Sequence, residues 1–383
     1  MIILLIFKWL ICFFSVTYIL LIVIYYVSWL KLPFFIMDNN ESFITKVSAI
    51  IPARNEEENI ENCLKDFIQQ NYPKQLLEII IVDDNSKDKT TELINKFKTI
   101  HPSINIILIS LNELQNFSAY KKRAVAVGIE NASGTLIITS DADCRFNKEW
   151  ISSIVSHYEK NQSKFISAPV SFNNTDTLFG KIQSLEFMSL IGSGAAAINL
   201  GSPNMCNGAN IAFEKSAYME VNGFDNKNEP ASGDDMFLML KIAKKYPDKI
   251  HFLKSKDAIV YTDAKKNLSE FYQQRKRWAS KGTKYNNSSV TAIAFIVYLA
   301  NLFWLVNFVL AFIYHEFLAL LLILTGLRML IEILFLYSLA SFFDKRKDLL
   351  LYIPTFIFNI FYVIIIGVAG SIGTYEWKGR RVK

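Results

Sequence analysis

The pattern of apolar and polar positions changes character three times along this chain of 383 residues. From Met1 to Leu30 it is almost wholly apolar, broken by Lys8, and the run closes at Lys31-Leu32-Pro33. That length exceeds a signal-peptide core and the ~20 residues a helix needs to cross a bilayer, so residues 1–31 are expected to form a retained transmembrane anchor. After a polar linker at 38–42, short runs of Ile, Val and Leu recur at Val47 to Ile51, Leu77 to Val82, Ile104 to Ser110 and Thr135 to Ser140. Helical stretches opening near Glu56, Asp88 and Lys121 separate them. Continuous apolar strands joined by helices suit a parallel sheet buried on both faces, and predict an α/β, Rossmann-like first half.

After Trp150 the alternation weakens. Lys181 to Leu200 and Asp234 to Lys245 read as helices, Gly201 to Gly208 as a loop, and Leu268 to Gly282 as a basic-aromatic helix. Three apolar segments follow, near 290–314, 317–342 and 349–373, so 289–373 is expected to hold two to three spans, with a basic tail at 374–383. If the middle of the chain is cytoplasmic, three full spans put the basic loop 345–347 inside and the basic tail outside. Positive-inside logic wants both inside, and a re-entrant or interfacial last segment, which contains Pro354, would satisfy it.

Composition sharpens this division. Hydrophobic residues make up 51% of the chain, and the excess lies at the two ends. The net charge of +6 is mild, and its basic clusters at Lys265-Lys266, Arg275-Lys276-Arg277, Lys345-Arg346-Lys347 and Lys378 to Lys383 flank apolar segments. That placement suits anionic headgroups and topology signals and gives no nucleic-acid module. The four cysteines (12, 63, 144 and 206) form no CxxC pair and the four histidines are scattered, so neither a disulfide framework nor a zinc site is expected.

Candidate chemistry sits where the strands stop. In open α/β sheets ligands bind at the carboxyl ends of strands, and acidic pairs stand at two such ends, Asp83-Asp84 and Asp141-Ala142-Asp143. In extended chain, residues two apart face the same way, roughly 6–7 Å along the strand. Asp141 and Asp143 could then hold a hard divalent ion together with substrate phosphates; a solvated turn ending a strand accounts for the same three residues. Asp234 and Asp235, after Ser232-Gly233, open a helix, where acidic residues complement the helix dipole. A carboxylate there could also serve as general base toward an acceptor hydroxyl. On the helix at 268–282, Gln274, Arg277 and Trp278 share one face and present an amide, a guanidinium and an indole, a mixture suited to a diphosphate and a sugar ring, or to a membrane surface.

Order and spacing carry more than any one motif. IIPARNEE, IIIVDDNSKD, KKRAVAVGIENASG, LIITSDADC, CNGANIAF, VNGFD, SGDD and QRKRW follow one another over roughly residues 45 to 285. This series resembles the family 2 glycosyltransferases, in particular the membrane-bound branch of cellulose and hyaluronan synthases and ceramide glucosyltransferases. The resemblance implies a GT-A fold over 45–285, including the helix at 268–282 as an interface helix. It also implies roles. Asp84, supported by Asp83, would contact the uracil or ribose of a nucleotide-sugar, and the loop from Ala53 to Glu56 would line that pocket. Lys121 would lie near the nucleotide, although Tyr120 stands where many relatives carry glycine. Asp141 and Asp143 would hold Mg2+ or Mn2+, with Asp143 the direct ligand. Asp235 would be the catalytic base beside Asp234. Gln274, Arg277 and Trp278 would bind the diphosphate and the acceptor end, and Asn207, Gly208 and Asn210 would shape the acceptor side.

The expected activity is inverting transfer of a sugar from a UDP-linked donor to a lipid or growing glycan acceptor, by an integral protein of the cell membrane with a cytoplasmic catalytic domain. Few spans argue for single transfer to a lipid. A processive polysaccharide synthase working with a partner subunit is the alternative. An inactive scaffold would have no need of Asp84, Asp141, Asp143 and Asp235 together, and all four are present.

Overall fold

The computed structural model describes residues 2–38, 41–111, 120–173, 175–224, 233–280 and 287–370, with the backbone of 375–377 and 380–382. Ser232, Gly282, residues 371–373 and the side chains of the basic tail lie outside the described residues. In chain order, α1 (Ile2–Lys31) is followed by β1 (Val47–Ala53), α2 (Ile60–Ile68), β2 (Leu77–Asp83), α3 (Thr90–Ile100) and β3 (Asn105–Ser110). Next come α4 (Tyr120–Asn131), β4 (Leu136–Thr139), β5 (Arg145–Phe146), α5 (Trp150–Asn161), β6 (Phe165–Ser167), β7 (Val170–Asn173) and α6 (Leu178–Asn199). Then β8 (Ile211–Glu214), α7 (Lys215–Glu220), α8 (Asp234–Lys245), β9 (Ile250–Phe252), β10 (Val260–Asp263) and α9 (Leu268–Ala279) follow. The chain closes with α10 (Ser288–Ile313), α11 (His315–Phe342), α12 (Tyr352–Gly370), β11 (Tyr375–Trp377) and β12 (Arg380–Val382).

These elements form two compact units, one of residues 32–174 and 197–264, the other of 1–31, 175–196 and 265–383. In this division most of α6 and all of α9 fall with the apolar helices, where Gln183, Glu186 and Arg275 find their partners.

The first unit is built on a seven-stranded sheet ordered β3-β2-β1-β4-β8-β6-β9. β3, β2, β1 and β4 run parallel, while β8 is antiparallel to both β4 and β6. Every residue of β2 is buried, as the unbroken Leu77-to-Asp83 run demands of a strand covered on both faces. Gly134 lets the chain enter β4 closely, since a Cβ there would lie 2.6 Å from the Ser48 nitrogen. β5, β10 and β7 make a second, three-stranded sheet. The sequence does not predict these short strands, because runs of two to four residues carry no readable period.

The second unit is a bundle of long apolar helices. Among the described residues four stretches are long and apolar enough to cross a membrane: Ile2–Lys31, Ser288–Ile313, His315–Phe342 and Arg346–Gly370. Phe14 of α1 stacks on Phe303 of α10 at 5.2 Å, and Trp304 donates its indole N–H to Thr325 of α11 at 2.8 Å. Pro354 falls in the first turn of α12, where its missing N–H breaks no helical bond. Arg328 and Glu332, four residues apart on α11, form an ion pair at 2.8 Å. Arg328 also donates to Asn301, and Glu332 accepts from the hydroxyls of Tyr18 and Tyr352. A charge pair this fully bonded inside an apolar bundle ties four helices together.

Candidate active site

The site in the first unit starts from the ends of β1 and β2, which are in register with Ala53 opposite Asp83. Asp83 and Asp84 are both buried. The Asp84 N–H donates to the Ala53 carbonyl at 2.9 Å, and the buried Arg54 guanidinium donates to the Asp84 carbonyl at 2.5 Å and lies 3.8 Å from its carboxylate. Asn55 and Asn85 take the left-handed backbone, at φ 51° and 57°, which turns both loops sharply where they leave the sheet. Side chains then lace the loops together. Asp83 accepts from the Ser86 N–H, the Glu56 N–H donates to Thr90 Oγ1, and the Glu57 N–H donates to Asp88 Oδ2. The Glu56 carboxylate accepts from Asn59, so this buried side chain serves the loop itself. Burial opposes charge on Asp88, but bonds from Thr90 and the Glu57 N–H outweigh it and hold its carboxyl below the usual range. The sequence gives Asp88 and Thr90 no candidate role in the site, and their role, like that of Arg54 within its loop, comes from contacts some 30 residues away.

The carboxyl end of β4 lies next to this pair of loops, because β4 neighbours β1. Here the structure corrects the extended-chain reading of Asp141 and Asp143. The Cys144 N–H returns to the Asp141 carbonyl at 3.1 Å, so the two aspartates are the first and third residues of one tight turn. Asp141 is half-buried and Asp143 exposed. Lys121, at the start of α4, meets the Asp141 carboxylate at 2.5 Å. Beyond the turn, Arg145 forks onto Asp66 at 2.6 and 2.7 Å, pinning the chain to α2. Among the described residues no three His, Cys, Asp or Glu side chains cluster to hold a metal ion. An exposed carboxylate beside a half-buried one, both hard oxygen donors, fits a divalent ion that takes its remaining ligands from a substrate diphosphate.

Asp235 reaches this strand end through a chain of bonds. Gly233, at φ 91°, swings the backbone into α8 and places Asp234 and Asp235, both half-buried, in its first turn. One Asp235 oxygen accepts from the Met236 N–H at 2.9 Å and the other from the Gly208 N–H at 2.8 Å. The Gly208 carbonyl in turn accepts from Thr139 Oγ1 at 2.9 Å, and Thr139 ends β4 two residues before Asp141. A Cβ on Gly208 would stand 3.3 Å from the Asp235 carboxylate, so glycine gives the acid its close seat.

The other members of that loop divide. Asn207 accepts the Ala209 N–H at its side chain, shaping the turn that presents Gly208. Asn210, expected to shape the acceptor side, is fully buried. Its carbonyl oxygen accepts from the Trp150 indole at 3.0 Å, and its amide donates to the Pro169 and Ala258 carbonyls at 2.7 and 2.8 Å. With both N–H donors engaged and its oxygen turned to Trp150, this buried amide clips three segments of the unit together.

Gln274, Arg277 and Trp278 lie on α9 in the helical unit. Between them Arg275, read in the sequence as part of a headgroup-facing cluster, is instead buried. It pairs with Glu186 of α6 through two nitrogens, and donates to Gln274 Oε1 at 2.6 Å. Its guanidinium lies over the rings of Trp278 and Phe271, at 4.2 and 4.5 Å. Tyr362 of α12 donates to the same Glu186 carboxylate at 2.8 Å. One ring face of Trp278 is thereby covered, and the motif is held from below by a residue inside it.

Known proteins fall in line with this geometry. The model of glycosyl transferase family 2 matches residues 48–221, and that of glycosyl transferase family group 2 matches residues 136–345, more than half of the chain. Glycosyltransferase AglE of Haloferax volcanii is 29% identical over 182 residues, 47% of this chain and 56% of that protein. Poly-beta-1,6-N-acetyl-D-glucosamine synthase of Staphylococcus aureus is 28% identical over 249 residues, 64% of this chain and 56% of the synthase. The matches thus span little more than half the length of these relatives. A mannosyltransferase from Pyrobaculum calidifontis, solved with GDP-Man and Mn2+, superposes with a TM-score of 0.64 over 95% of this chain and 98% of its own, at 16% identity, which speaks for the fold alone. Strand ends bearing the paired acids, a sheet of this order and the family match agree, and the chain is a glycosyltransferase that belongs to family 2.

Proposed function

We propose that this protein is an integral-membrane, inverting glycosyltransferase that moves a sugar from a UDP-linked donor to the hydroxyl of a lipid or membrane-bound acceptor. The observation that carries the reading is the bonded path Thr139–Gly208–Asp235, which fixes a carboxylate beside the strand end that bears Asp141 and Asp143. In this reading Asp83, Asp84 and the loop from Ala53 to Glu56 hold the nucleoside. Asp143 and Asp141 would bind Mg2+ or Mn2+, which when bound neutralises charge on the departing diphosphate. The mannosyltransferase neighbour, solved with Mn2+, supports that choice of ion class. Lys121 adds a positive charge at the same edge.

Asp235 acts as general base. Its two backbone N–H bonds, from Gly208 and Met236, fix the carboxylate and leave lone pairs for the acceptor hydroxyl proton. The deprotonated oxygen attacks the anomeric carbon from the face opposite the diphosphate, the bond to the leaving oxygen breaks, and configuration inverts. Asp234, Asn207 and Gly208 border the acceptor. Gln274, Arg277 and Trp278 are assigned to the diphosphate and acceptor end on their motif. The catalytic unit faces the cytoplasm, where nucleotide-sugars are made.

A radiolabel transfer assay tests this. Full-length protein in lipid, given a panel of UDP-sugars with Mg2+ or Mn2+, should place label in organic-extractable lipid. Asp235→Asn should lower turnover by roughly 10²- to 10⁴-fold with nucleotide binding retained; a variant with near-normal turnover rejects Asp235 as the base. A second reading, a processive polysaccharide synthase with a partner subunit, is favoured by the 28% identity to the Staphylococcus aureus synthase. Label in a large, water-soluble product would select it.

A further inference from the structure

We infer that α12, although long and apolar enough to span, does not cross the bilayer: the segment from Arg346 to Gly370 dips into the membrane and returns to the face it left. The three other long helices fix the two faces. The Trp29 ring, near the end of α1, packs on Phe342 at the end of α11 with centroids 5.4 Å apart, marking one face. Lys8 of α1 and Glu316 of α11 pair at 2.6 Å near the other ends of the same helices, marking the opposite face.

α12 is reached from the Trp29/Phe342 face but starts inside the bundle: the hydroxyl of Tyr352, its first residue, donates to Glu332 of α11 at 2.9 Å. It is joined to α11 by a short helical turn (Arg346–Leu351), and Lys345 just before that turn donates to Ser184 of α6. A helix of 19 residues crossing from there would carry its last residue about 27 Å away. Gly370 does not travel that path. A Cβ on it would stand 2.7 Å from Cβ of Ala279, the last residue of α9. Midway along, Tyr362 bonds Glu186, two residues from the Ser184 that holds Lys345. The opening of α9 is tied to α6 as well, through paired bonds between Gln183 and Lys265 at 2.9 and 3.0 Å. α12 therefore runs alongside α9 and α6, not down the bundle.

α9 cannot be deep in hydrocarbon. Glu270, Gln273, Lys276 and Arg277 all keep solvent access, and a helix so polar belongs at the headgroup level. The other side of α12 is the reverse: Ile353, Ile357, Phe361, Ile365 and Val368 form one exposed apolar stripe at helical spacing. The occupant that suits this stripe is lipid acyl chain, since it continues the apolar surface of the neighbouring membrane helices. α12 is thus a ledge, polar protein above and lipid below. Its return brings the basic loop 345–347 and the basic tail to one face, as positive-inside logic requires of both.

The test uses full-length protein in sealed vesicles, with Cys12→Ala and Cys206→Ser removing the partly accessible native thiols. Single cysteines are placed by Lys347→Cys, His315→Cys and Lys383→Cys, and probed with a membrane-impermeant maleimide. Lys383→Cys should label from the same side as Lys347→Cys and from the side opposite His315→Cys. Labelling of Lys383→Cys together with His315→Cys would overturn the inference. Protease cleavage of a tag fused after Lys383, read in right-side-out and inverted vesicles, asks the same question without altering any residue: release on the Lys347 side supports the ledge, release on the His315 side refutes it.

Discussion

At the scale of single residues, the candidate base depends on a neighbour that has no side chain. Gly208 takes an ordinary negative φ, so alanine would not strain the backbone there; what it would do is press a methyl group on the Asp235 carboxylate from 3.3 Å. The acid would have to give by a few tenths of an ångström, or lose its 2.8 Å bond from the Gly208 N–H. Misplacement of a catalytic group by 1 Å can cost on the order of 10²-fold in rate. Gly208→Ala is therefore expected to lower turnover about tenfold while nucleotide affinity, measured by direct titration, stays within about twofold. Unchanged turnover would mean that the placement of Asp235 does not limit the reaction. Asn210 offers the contrast. Its side chain is spent on Trp150, Pro169 and Ala258, so Asn210→Ala should unfold before it slows, leaving the buried indole N–H and the Ala258 carbonyl without these bonds at about 1–3 kcal/mol each, while Pro169 keeps its bond from the Val260 N–H. A melting curve matching wild type would reject that reading of the residue.

Among elements, the coupling of α6, α9 and α12 through one buried carboxylate is the feature most open to test. Glu186 takes both an arginine and a tyrosine, and neither it nor Arg275 keeps appreciable solvent exposure. Removing one partner of a buried pair strands the other, at about 3–5 kcal/mol, whereas replacing both with apolar residues is often near neutral. Arg275→Leu should melt well below wild type, and Arg275→Leu with Glu186→Leu should recover most of the loss. A single variant as stable as the parent would exclude the pair as a tether. Gln274 and Trp278 also lean on Arg275, so the double variant, though stable, should still show impaired transfer. Wild-type transfer by the double variant would show that the motif holds its shape without that support.

On the scale of the whole molecule, the strands β1 to β4 and the apolar helices were legible because each is a long run whose period or length speaks for itself. The acidic pairs were legible as candidates because they stand where such runs stop. The partners were not. That Asp235 is seated by Gly208, that Asn210 clips the core and that Arg275 turns inward are all decided by segments tens of residues away, and local pattern holds no record of them. Asp141 and Asp143 show the same limit at short range: spacing suggested an extended pair, and one hydrogen bond from Cys144 makes it a turn.

Two histidines in the first unit are silent in the sequence for the same reason, and they predict how the catalytic unit answers acid. His157 is buried, its ring packed edge-on against Phe35 and 5.7 Å from His251, with Nδ1 lacking a partner among the described residues. Burial, and then the neighbouring His251, lower its pKa from 6.5 to about 4. The sign follows from linkage. Above pH 6.5 the ring is neutral both folded and unfolded, and contributes nothing to the slope. As pH falls below 6.5 the unfolded chain binds a proton that the folded chain refuses, so stability is lost down to about pH 4, by about 3 kcal/mol in all. His157→Leu removes the proton site at similar volume. Melting of the wild type, followed by tryptophan fluorescence from pH 7.5 to 4.5, should fall more steeply than that of the variant, and the two curves should converge in slope above pH 7. Parallel curves across the whole range would show that His157 is not the group that refuses the proton.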